Sequence, residues 1–498
     1  MIVRRKLEVD GVEGAVITEN EAKNRRSKHF ATFVYICPPG AQNPGSGSKL
    51  AGIMNTTVWL SQIQSLVSLG FMSLFLLIEL GLAWVLLFFR LADRFSPGNA
   101  WMLAYRFWVR VYALAAILAL AASMPVLIQL GSLWPGLLDR IGDVAGPLLA
   151  AAILTAFIVK SCFMSAMLFG QRRLSDTAYT AVVLMVAVGT TLSVLWVLAL
   201  VGWMQTPAGT GFLNGEYFVV DWYQVVLNPS TAWLLLLMAA ASGLTVAFML
   251  LGVIAGRASS LPADDSGQQV FRTGAVIGLA AVLAYGVAVT GYGRMVATHQ
   301  PAKAAATAAY WQSGVQPDLA LFGWPDERRG STRALLAWAH AGGKWLGRDA
   351  EGRLLGLDHF SGMHPPVALT FWSFRLTLAV ALAMLVAACG ALWCMRRKYI
   401  EHGDLPAAWR RFFSGMTFLG WVAGPAMLCH VLAGQAPFIV NHTVTFLEVA
   451  GSANPAHVAI GIAAHLAVYG VLLLGFMHLL RHGVQYGVVP VARRRGRA

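Results

Sequence analysis

The side chains best placed to do chemistry in this sequence are polar residues that interrupt its long apolar runs. Glu79 and Lys160 each lie inside such a run, and His465 and His478 lie in the last one. A charged group inside a lipid-spanning segment is costly, so each one requires an opposite charge or contact with water. An imidazole in the same setting either hydrogen-bonds to a neighbouring helix or ligates iron. The sequence therefore predicts a small number of intramembrane polar contacts.

Two interpretations of the charged residues are open. In the first, Glu79 and Lys160 form an ion pair within the membrane, which satisfies both charges. In the second, Lys160 extends its amine to the cytoplasmic edge, while Glu79 is hydrogen-bonded by itself. The two residues lie on different apolar runs, so their spacing along the chain does not decide between these interpretations.

The composition excludes an ordinary soluble domain. Of the 498 residues, 57% are hydrophobic and 12% are charged, and the mean hydropathy is +0.62. These values are typical of a multi-pass membrane protein. The net charge of +14 is explained by Lys and Arg in cytoplasmic loops, so the expected partner is the lipid bilayer and not nucleic acid. The five cysteines form no CxxC pair and no zinc spacing, so they predict no metal site.

Apolar runs long enough to cross a bilayer recur nine times along the chain. Because only helices satisfy the backbone in lipid at this hydropathy, the runs predict an all-α fold with nine transmembrane helices. The predicted spans are Val58–Phe89, Val109–Leu133, Gly146–Phe169, Ala178–Met204, Ala232–Ile254, Thr273–Tyr292, Phe371–Met395, Phe413–Leu432 and Ala456–Leu480.

The distribution of charge between the spans predicts their orientation. Arginine-rich segments follow the first, third, fifth, seventh and ninth spans, whereas the alternate loops are nearly neutral or mixed. The positive-inside rule therefore predicts that the first span begins outside and that the C-terminus lies inside (N-out/C-in). Residues 1–53 carry basic clusters without the apolar segment of a signal peptide. They are expected to be a disordered extension or a mis-called gene start, and residues 54–498 to be the membrane domain.

One connection, residues 293–370, is much longer than the others, and we call it the long loop. By the orientation above it lies on the outer face of the membrane. Its spacing of apolar residues predicts an amphipathic helix from Ser331 to Leu346. Loops of this length within a compact domain usually have a function.

A series of short phrases marks the ends of several predicted spans. GWMQTP (202–207) ends the fourth span, and VVLNPS (225–230) precedes the fifth. The others are LSQIQ (60–64), QPAKAAATAAYW (300–311), LFGWPD (321–326), PPVALTFWSFR (365–375) and AGQAPF (433–438). In order and spacing they resemble subunit I of the cytochrome bd quinol oxidases from about Trp59 to the C-terminus.

This resemblance implies a fold and an activity. The implied fold has two four-helix bundles plus one peripheral helix. The implied activity is oxidation of quinol with reduction of oxygen to water in the respiratory chain of a bacterial inner membrane, using b- and d-type haems in subunit I. A second membrane subunit is implied as partner. The long loop is implied to be the quinol-binding loop, with Lys303 and Trp311 as candidate residues.

The resemblance also indicates which four positions of this chain correspond to the family's axial haem ligands. All four positions carry other residues. Met72 and Leu237 stand where the family has histidines, Thr377 where it has methionine, and Leu432 where it has glutamate. Haem iron is held by side chains such as His, Met, Cys or Tyr. The chain is therefore expected to bind no haem itself, with haem b/d in a partner subunit. His465 and His478 are the fallback haem candidates, and no metal site is assigned.

The family's carboxylates are replaced as well. Its two glutamates in helix three are Ala152 and Lys160 here, and the glutamate of its quinol loop is Ala308. Because Lys160 replaces a glutamate, an ion pair with Glu79 would fill space left by a missing haem. Five family residues are retained at the ends of spans, and they are Gly202, Trp203, Met204, Gln205 and Arg375. Arg375 is expected either to hold a haem propionate or to cap its helix and meet lipid headgroups.

Three functions are compatible with these observations. The favoured one is a haem-deficient subunit I-like protein that acts as a structural partner in a bd-type quinol:oxygen oxidoreductase complex, beside a haem-bearing subunit I-like or subunit II-like protein. The second is an active quinol oxidase subunit I with relocated haem ligands. The third is a quinone-binding or transport protein on the same scaffold. In the favoured case this chain has no catalytic residues of its own.

Overall fold

The computed structural model describes residues 47–96, 99–257, 264–314, 317–360 and 362–486. The chain separates into a unit Met1–Met54 and a unit Asn55–Ala498, and the description below concerns the second. Of the predicted N-terminal extension 1–53, residues 1–46 lie outside the described part, so that interpretation stays a prediction.

Long helices dominate the described residues, which confirms the all-α class. The candidate membrane helices are α1 Gly47–Phe95, α2 Asn99–Ser132, α3 Pro135–Ile158 with its continuation α4 Met164–Phe169, α5 Asp176–Gln205, α7 Thr231–Arg257, α8 Asp265–His299, α10 Val367–Arg396 and α15 Pro455–Tyr486. The shorter helices are α6 Trp222–Val226, α9 Pro301–Ala308, α11 Tyr399–His402, α12 Ala407–Met416, α13 Gly420–Ala433 and α14 Phe446–Val449.

Within the described ranges, eight helices are long and apolar enough to cross a membrane, and a ninth span exists if one bent pair is counted. That pair is α12 and α13, which meet at an angle of 40°. The predicted eighth span, Phe413–Leu432, is therefore divided between two helices and is not one continuous helix. The break lies where Gly420 packs directly against Thr245 of α7, so close that a side chain at Gly420 would collide with it. Orientation and bundle arrangement stay predictions.

Helix α7 lies at the centre of the largest hydrophobic cluster. The residues from Thr245 to Ala255 are all buried, as in a helix that other helices surround on every side. Its neighbours approach it through small residues. A Cβ added at Gly81 of α1 would lie 2.7 Å from the carbonyl oxygen of Ser242, so the two backbones are nearly in contact. This small-residue packing is typical of membrane helix interfaces.

Three two-stranded antiparallel sheets occupy the connections. They are β1 Thr210–Leu213 with β2 Glu216–Val219, β3 Leu319–Asp326 with β4 Ser331–Trp338, and β5 Phe438–Val440 with β6 Val444–Thr445. The first and third connect the ends of membrane helices, and the second lies in the long loop.

The amphipathic helix predicted for Ser331–Leu346 is wrong. The segment begins as strand β4 and ends in a short 3₁₀ turn, Gly342–Trp345. The turn before it explains the difference, because the Asp326 carboxylate accepts hydrogen bonds from the backbone N–H groups of Arg328 and Arg329 at 3.0 and 3.3 Å. Gly330 then adopts a positive φ of 58°. This local turn chemistry directs the chain back along β3 and overrides the helical spacing.

Candidate functional site

The four positions to which the resemblance assigns haem ligands lie among apolar contacts. Leu237 and Thr377 are buried, while Met72 and Leu432 are half-buried against the same core. The Thr377 hydroxyl donates to the backbone oxygen of Phe374 at 2.7 Å. A leucine side chain has no donor atom, and only the thioether of Met72 is a known type of axial ligand. This donor set does not fit the family's haem ligation. Among the described residues, no three His, Cys, Asp or Glu side chains converge as a metal site requires.

Glu79 and Lys160 form an ion pair between the membrane helices. The Lys160 amine donates to Glu79 Oε1 at 2.8 Å and to the carbonyl oxygen of Ala116 at 3.1 Å. Only 3% of the Glu79 side chain and 14% of the Lys160 side chain are exposed. The ion-pair interpretation is therefore confirmed, and extension of Lys160 to the membrane edge is wrong. The contact joins α1, α2 and the end of α3.

Lys160 lies in an irregular part of its helix. Residues Val159–Phe163 form a π-helical turn between α3 and α4. A π turn accommodates an extra residue and changes the direction of the side chains after it, and such turns are frequent at functional positions. Across from it, Gly189 of α5 packs against Val159 without room for a Cβ. The π turn and this close contact together position the Lys160 amine toward Glu79.

Lys303 is a second buried lysine, and its surroundings are different. It lies on α9, the short helix that follows α8, and is 2% exposed. Its amine donates to the Tyr292 hydroxyl at 2.8 Å and to the carbonyl oxygen of Val431 at 3.0 Å. No carboxylate within the described ranges forms an ion pair with it. Burial lowers the pKa of Lys303 from 10.5 to about 7, so its amine loses the proton near neutral pH.

The Lys303 contact extends into a buried polar network. The Tyr292 hydroxyl donates in turn to Gln205 Oε1 at 3.0 Å, and Gln300 Nε2 approaches the Gln205 carbonyl at 3.4 Å. Gln205 Nε2 and Gln300 Oε1 have no hydrogen-bond partner in the described part of the chain. The retained Gln205 is thus connected to Lys303 through Tyr292. The sequence does not mark Tyr292 as a functional residue, because tyrosine is common at the ends of membrane spans for other reasons.

The phrases around Gln205 are retained because they pack together. A Cβ at Gly202 would lie 2.7 Å from the side-chain oxygen of Asn228, so only glycine permits this approach. Asn228 Nδ2 donates to the Ala199 carbonyl at 3.1 Å, and Gln435 Nε2 donates to the Met204 carbonyl at 2.7 Å. GWMQTP, VVLNPS and AGQAPF therefore form one structural unit at the end of α5. Trp203 is buried in the same unit, edge-to-face with Tyr217.

Arg375 attaches the long loop to α10. Its guanidinium donates to the Thr307 carbonyl at 2.6 Å and, through two nitrogens, to the Ala320 carbonyl at 3.2 and 2.7 Å. The guanidinium carbon also lies 3.4 Å from the ring centroid of Phe371, which is a cation–π contact. These partners are parts of the chain itself. They support neither of the expected roles, a propionate contact or a headgroup contact.

The remaining candidates do not converge on one site. His465 is half-buried, with Nδ1 2.7 Å from the Gly461 carbonyl of its own helix, whereas His478 is exposed. Thirteen residues rotate a helix by about 220°, so the two imidazoles lie on different faces. Trp311 is half-buried and donates to the Thr332 hydroxyl of β4 at 2.8 Å. The two quinol-loop candidates, Trp311 and Lys303, thus bond to different elements.

Known proteins of one family are similar to this chain along most of its length. The family model "Cytochrome bd terminal oxidase subunit I" matches residues 60–488. The cytochrome bd ubiquinol oxidase subunit 1 of Bacillus subtilis strain 168 is 25% identical over 440 residues, which cover 84% of this chain and 90% of that protein. A putative cytochrome bd menaquinol oxidase subunit I of the same organism is 24% identical over 400 residues, covering 77% and 86%.

Two further proteins are similar to this chain, one over part of its sequence and one in its fold. The cytochrome bd-II ubiquinol oxidase subunit 1 of Escherichia coli strain K12 is 28% identical over 227 residues, 45% of this chain and 44% of that protein. The structure of bd oxidase from Geobacillus thermodenitrificans is similar with a TM-score of 0.75 and 20% identity, and the match covers 87% of this chain and 99% of that chain. At this identity the structural similarity shows the fold.

Proposed function

This chain belongs to the cytochrome bd terminal oxidase subunit I family, and we propose that it is a haem-free partner subunit of a bd-type quinol oxidase complex. The observation that carries the proposal is the donor set at the four ligand positions. Two of these positions are leucines and one is a threonine whose hydroxyl is bonded to its own helix. Removal of these ligands together, while the surrounding phrases remain recognisable, favours loss of haem over loss of the fold.

The packing of the chain supports a structural role. Helix α7, which carries Leu237, is in close contact with α1 and α13 through Gly81 and Gly420. The intramembrane charges are paired with each other at Glu79 and Lys160. Close helix packing and paired intramembrane charges support a fold that stands without a prosthetic group. Such a subunit would hold the shape that a haem-bearing subunit I-like or subunit II-like partner recognises.

The two alternative functions are less well supported. Relocated ligands would require two donors that face one another, and His465 and His478 lie on different faces of α15. A quinone site that uses Lys303 would require its amine to reach the ligand, but that amine is bonded to Tyr292 and Val431 in the interior. A haem-free partner subunit requires neither facing histidines on α15 nor an accessible Lys303 amine. This function also keeps the protein in the respiratory chain, as a multi-pass protein of a bacterial inner membrane.

The test is haem stoichiometry for each separated subunit. The chain would be purified in mild detergent with its co-purifying proteins, and haem would be quantified by pyridine haemochromogen against the mass of each subunit. We expect no haem in this chain and stoichiometric haem in a co-purifying one. A haem-binding relative such as the Bacillus subtilis subunit 1, purified identically, controls for loss of haem. Stoichiometric haem in this chain alone would contradict the proposal.

A further inference from the structure

The β3–β4 hairpin of the long loop carries many exposed apolar side chains. In β4 alone, Leu335, Leu336 and Trp338 are 62%, 58% and 67% exposed. Leu335 and Leu336 are neighbours in a strand, so their side chains point to opposite faces of the hairpin, yet both are exposed. A protein groove that binds one face would leave the other apolar face in water. A surrounding apolar medium accounts for both faces.

The hairpin lies along the first three turns of α10, which fixes its position relative to that membrane helix. At the start of α10, Glu327 Oε1 accepts a hydrogen bond from the backbone N–H of Val367 at 2.6 Å. Further along, the Trp372 ring contacts the Phe322 ring, with centroids 5.0 Å apart. Deeper still, Arg375 holds the Ala320 carbonyl. Eight helical residues separate the first and last of these contacts, a distance of about 12 Å along the helix axis.

The contacts with α10 give the hairpin a polar end and an apolar end. Its tip is the charged turn Glu327–Arg329, which lies beside the beginning of α10. Its base pairs Leu319 with Trp338 and Phe322 with Leu336, and it lies at the level of Arg375. The charged end is therefore farther from the membrane centre than the apolar end.

The length of α10 shows where the base lies relative to the bilayer. The helix has 30 residues and a basic last turn at Arg396. A hydrocarbon core about 30 Å thick takes roughly 20 helical residues. Counted back from Arg396, the core ends near residue 377, so Arg375 and the hairpin base lie at the boundary between headgroups and acyl chains. Tryptophan is enriched at that depth, and water still reaches the free edge of β4 there.

We propose that the base of the β3–β4 hairpin is a lipid-contacting surface that inserts Leu335, Leu336 and Trp338 into the membrane interface beside α10. The bilayer covers both faces of β4, and the charged tip stays in the headgroup region. The hairpin thereby anchors the long loop to the membrane independently of any partner subunit. This assignment does not rest on the haem content of the chain.

The test measures which quencher reaches each end of the hairpin. The full chain, with Leu336 replaced by an encoded dansylalanine, is reconstituted alone in nanodiscs of phosphatidylcholine and phosphatidylglycerol. Quenching by phosphatidylcholine brominated near its carbonyl end is compared with quenching by aqueous iodide. We expect bromolipid to quench this probe at least roughly twofold more than a probe at the tip, and iodide to do the reverse.

A matched control and a second site keep the test decisive. Dansylalanine in place of Arg329 marks the charged tip of the same hairpin, and in place of Leu335 it marks the opposite face of the base. If one base variant does not fold, as judged by size-exclusion chromatography, the other supplies the measurement. Iodide quenching at the base equal to that at the tip would show a solvent-exposed hairpin. Protection from both quenchers would show that the base is covered by protein, either a second copy or another part of this chain. Either result would overturn the proposal.

Discussion

In the described part of the chain, Lys160 and Lys303 are both largely withdrawn from solvent, and their surroundings differ in one respect. Lys160 meets the carboxylate of Glu79 between membrane helices, whereas Lys303 of the long loop meets the hydroxyl of Tyr292 and the backbone carbonyl of Val431. By the resemblance, one family glutamate position is occupied by Lys160 itself, and another is Ala308, five residues after Lys303. Lys160 is paired with the opposite charge of Glu79, whereas Lys303 forms no ion pair within the described ranges.

The difference shows how each charge is tolerated. An ion pair in a membrane interior is costly to form but far more costly to break, because the remaining charge has no water around it. Lys303 lies outside the membrane-spanning helices and has another way to lower its cost, since burial brings its pKa to about 7 and it becomes neutral. We therefore expect the Glu79–Lys160 pair to determine the stability of the fold, and Lys303 to determine its pH dependence.

The largest effect is expected from reversing one charge of the intramembrane pair. Lys160→Glu places two carboxylates in contact within the membrane and should lower the free energy of unfolding by about 3–5 kcal/mol. The measurement is SDS-induced unfolding of the full chain in mixed micelles. The double variant Glu79→Lys with Lys160→Glu restores opposite charges and should recover part of the loss, because the two sites are coupled.

An exposed ion pair is the matched control for this prediction. Lys398 Nζ and Glu401 Oε2 are 3.6 Å apart on the surface of the chain. Reversing Lys398 to glutamate should change the free energy of unfolding by less than about 1 kcal/mol, because solvent screens the charges. An unfolding midpoint for Lys160→Glu that equals that of the wild type would show that the pair does not hold the helices together.

The second effect is a pH dependence of stability that originates at Lys303. Its pKa is about 7 in the folded chain and 10.5 ordinarily, so between these values the unfolded chain binds the extra proton. Stability should therefore rise with pH across that window, by up to about 1.4 kcal/mol per pH unit. Lys303→Met removes the titrating group, and its free energy of unfolding should lack this rise. The measurement is the same unfolding titration at several pH values.

Lys344 provides the control on the same loop. It is exposed, so Lys344→Met should keep the full pH dependence of the wild type. If Lys303→Met retained the wild-type slope, the pH dependence would originate elsewhere and the comparison of the two lysines would fail.

The sequence predicted the first site better than the second for a physical reason. A charge in a long apolar run requires a partner or water. The sequence therefore leaves two interpretations for Glu79 and Lys160, an ion pair or separate contacts. Lys303 lies in a loop, where a lysine is ordinarily exposed and free to contact a substrate. Its burial depends on α8, α13 and the long loop packing together, and nothing in the local sequence reports such contacts.

The same reasoning applies to the fold. Apolar runs predicted the membrane helices because length and hydropathy are properties of one segment. The break between α12 and α13 depends on the approach of Gly420 to α7, which is a tertiary contact. The spacing of apolar residues predicts a helix where strand β4 lies, because that spacing does not take account of the Asp326 turn before the strand. The failures lie where a neighbouring element or a turn overrides the local pattern.

The smallest effect concerns the hydroxyl that connects Lys303 to the retained Gln205. Tyr292→Phe removes the acceptor for the lysine amine and leaves Gln205 Oε1 without its donor. The free energy of unfolding should fall by about 1–2 kcal/mol at neutral pH, the cost of leaving a buried polar group unsatisfied. The protonated amine loses one favourable contact, so the pKa of Lys303 should fall further and the rise in stability should begin at a lower pH.

Tyr223, whose side chain is 73% exposed, gives the control Tyr223→Phe, which should change neither quantity. A rise that begins at the wild-type pH in Tyr292→Phe would mean that burial alone sets the pKa of Lys303. The contrast between the two lysines would then rest on the carboxylate of Glu79 beside Lys160 and not on the hydroxyl beside Lys303.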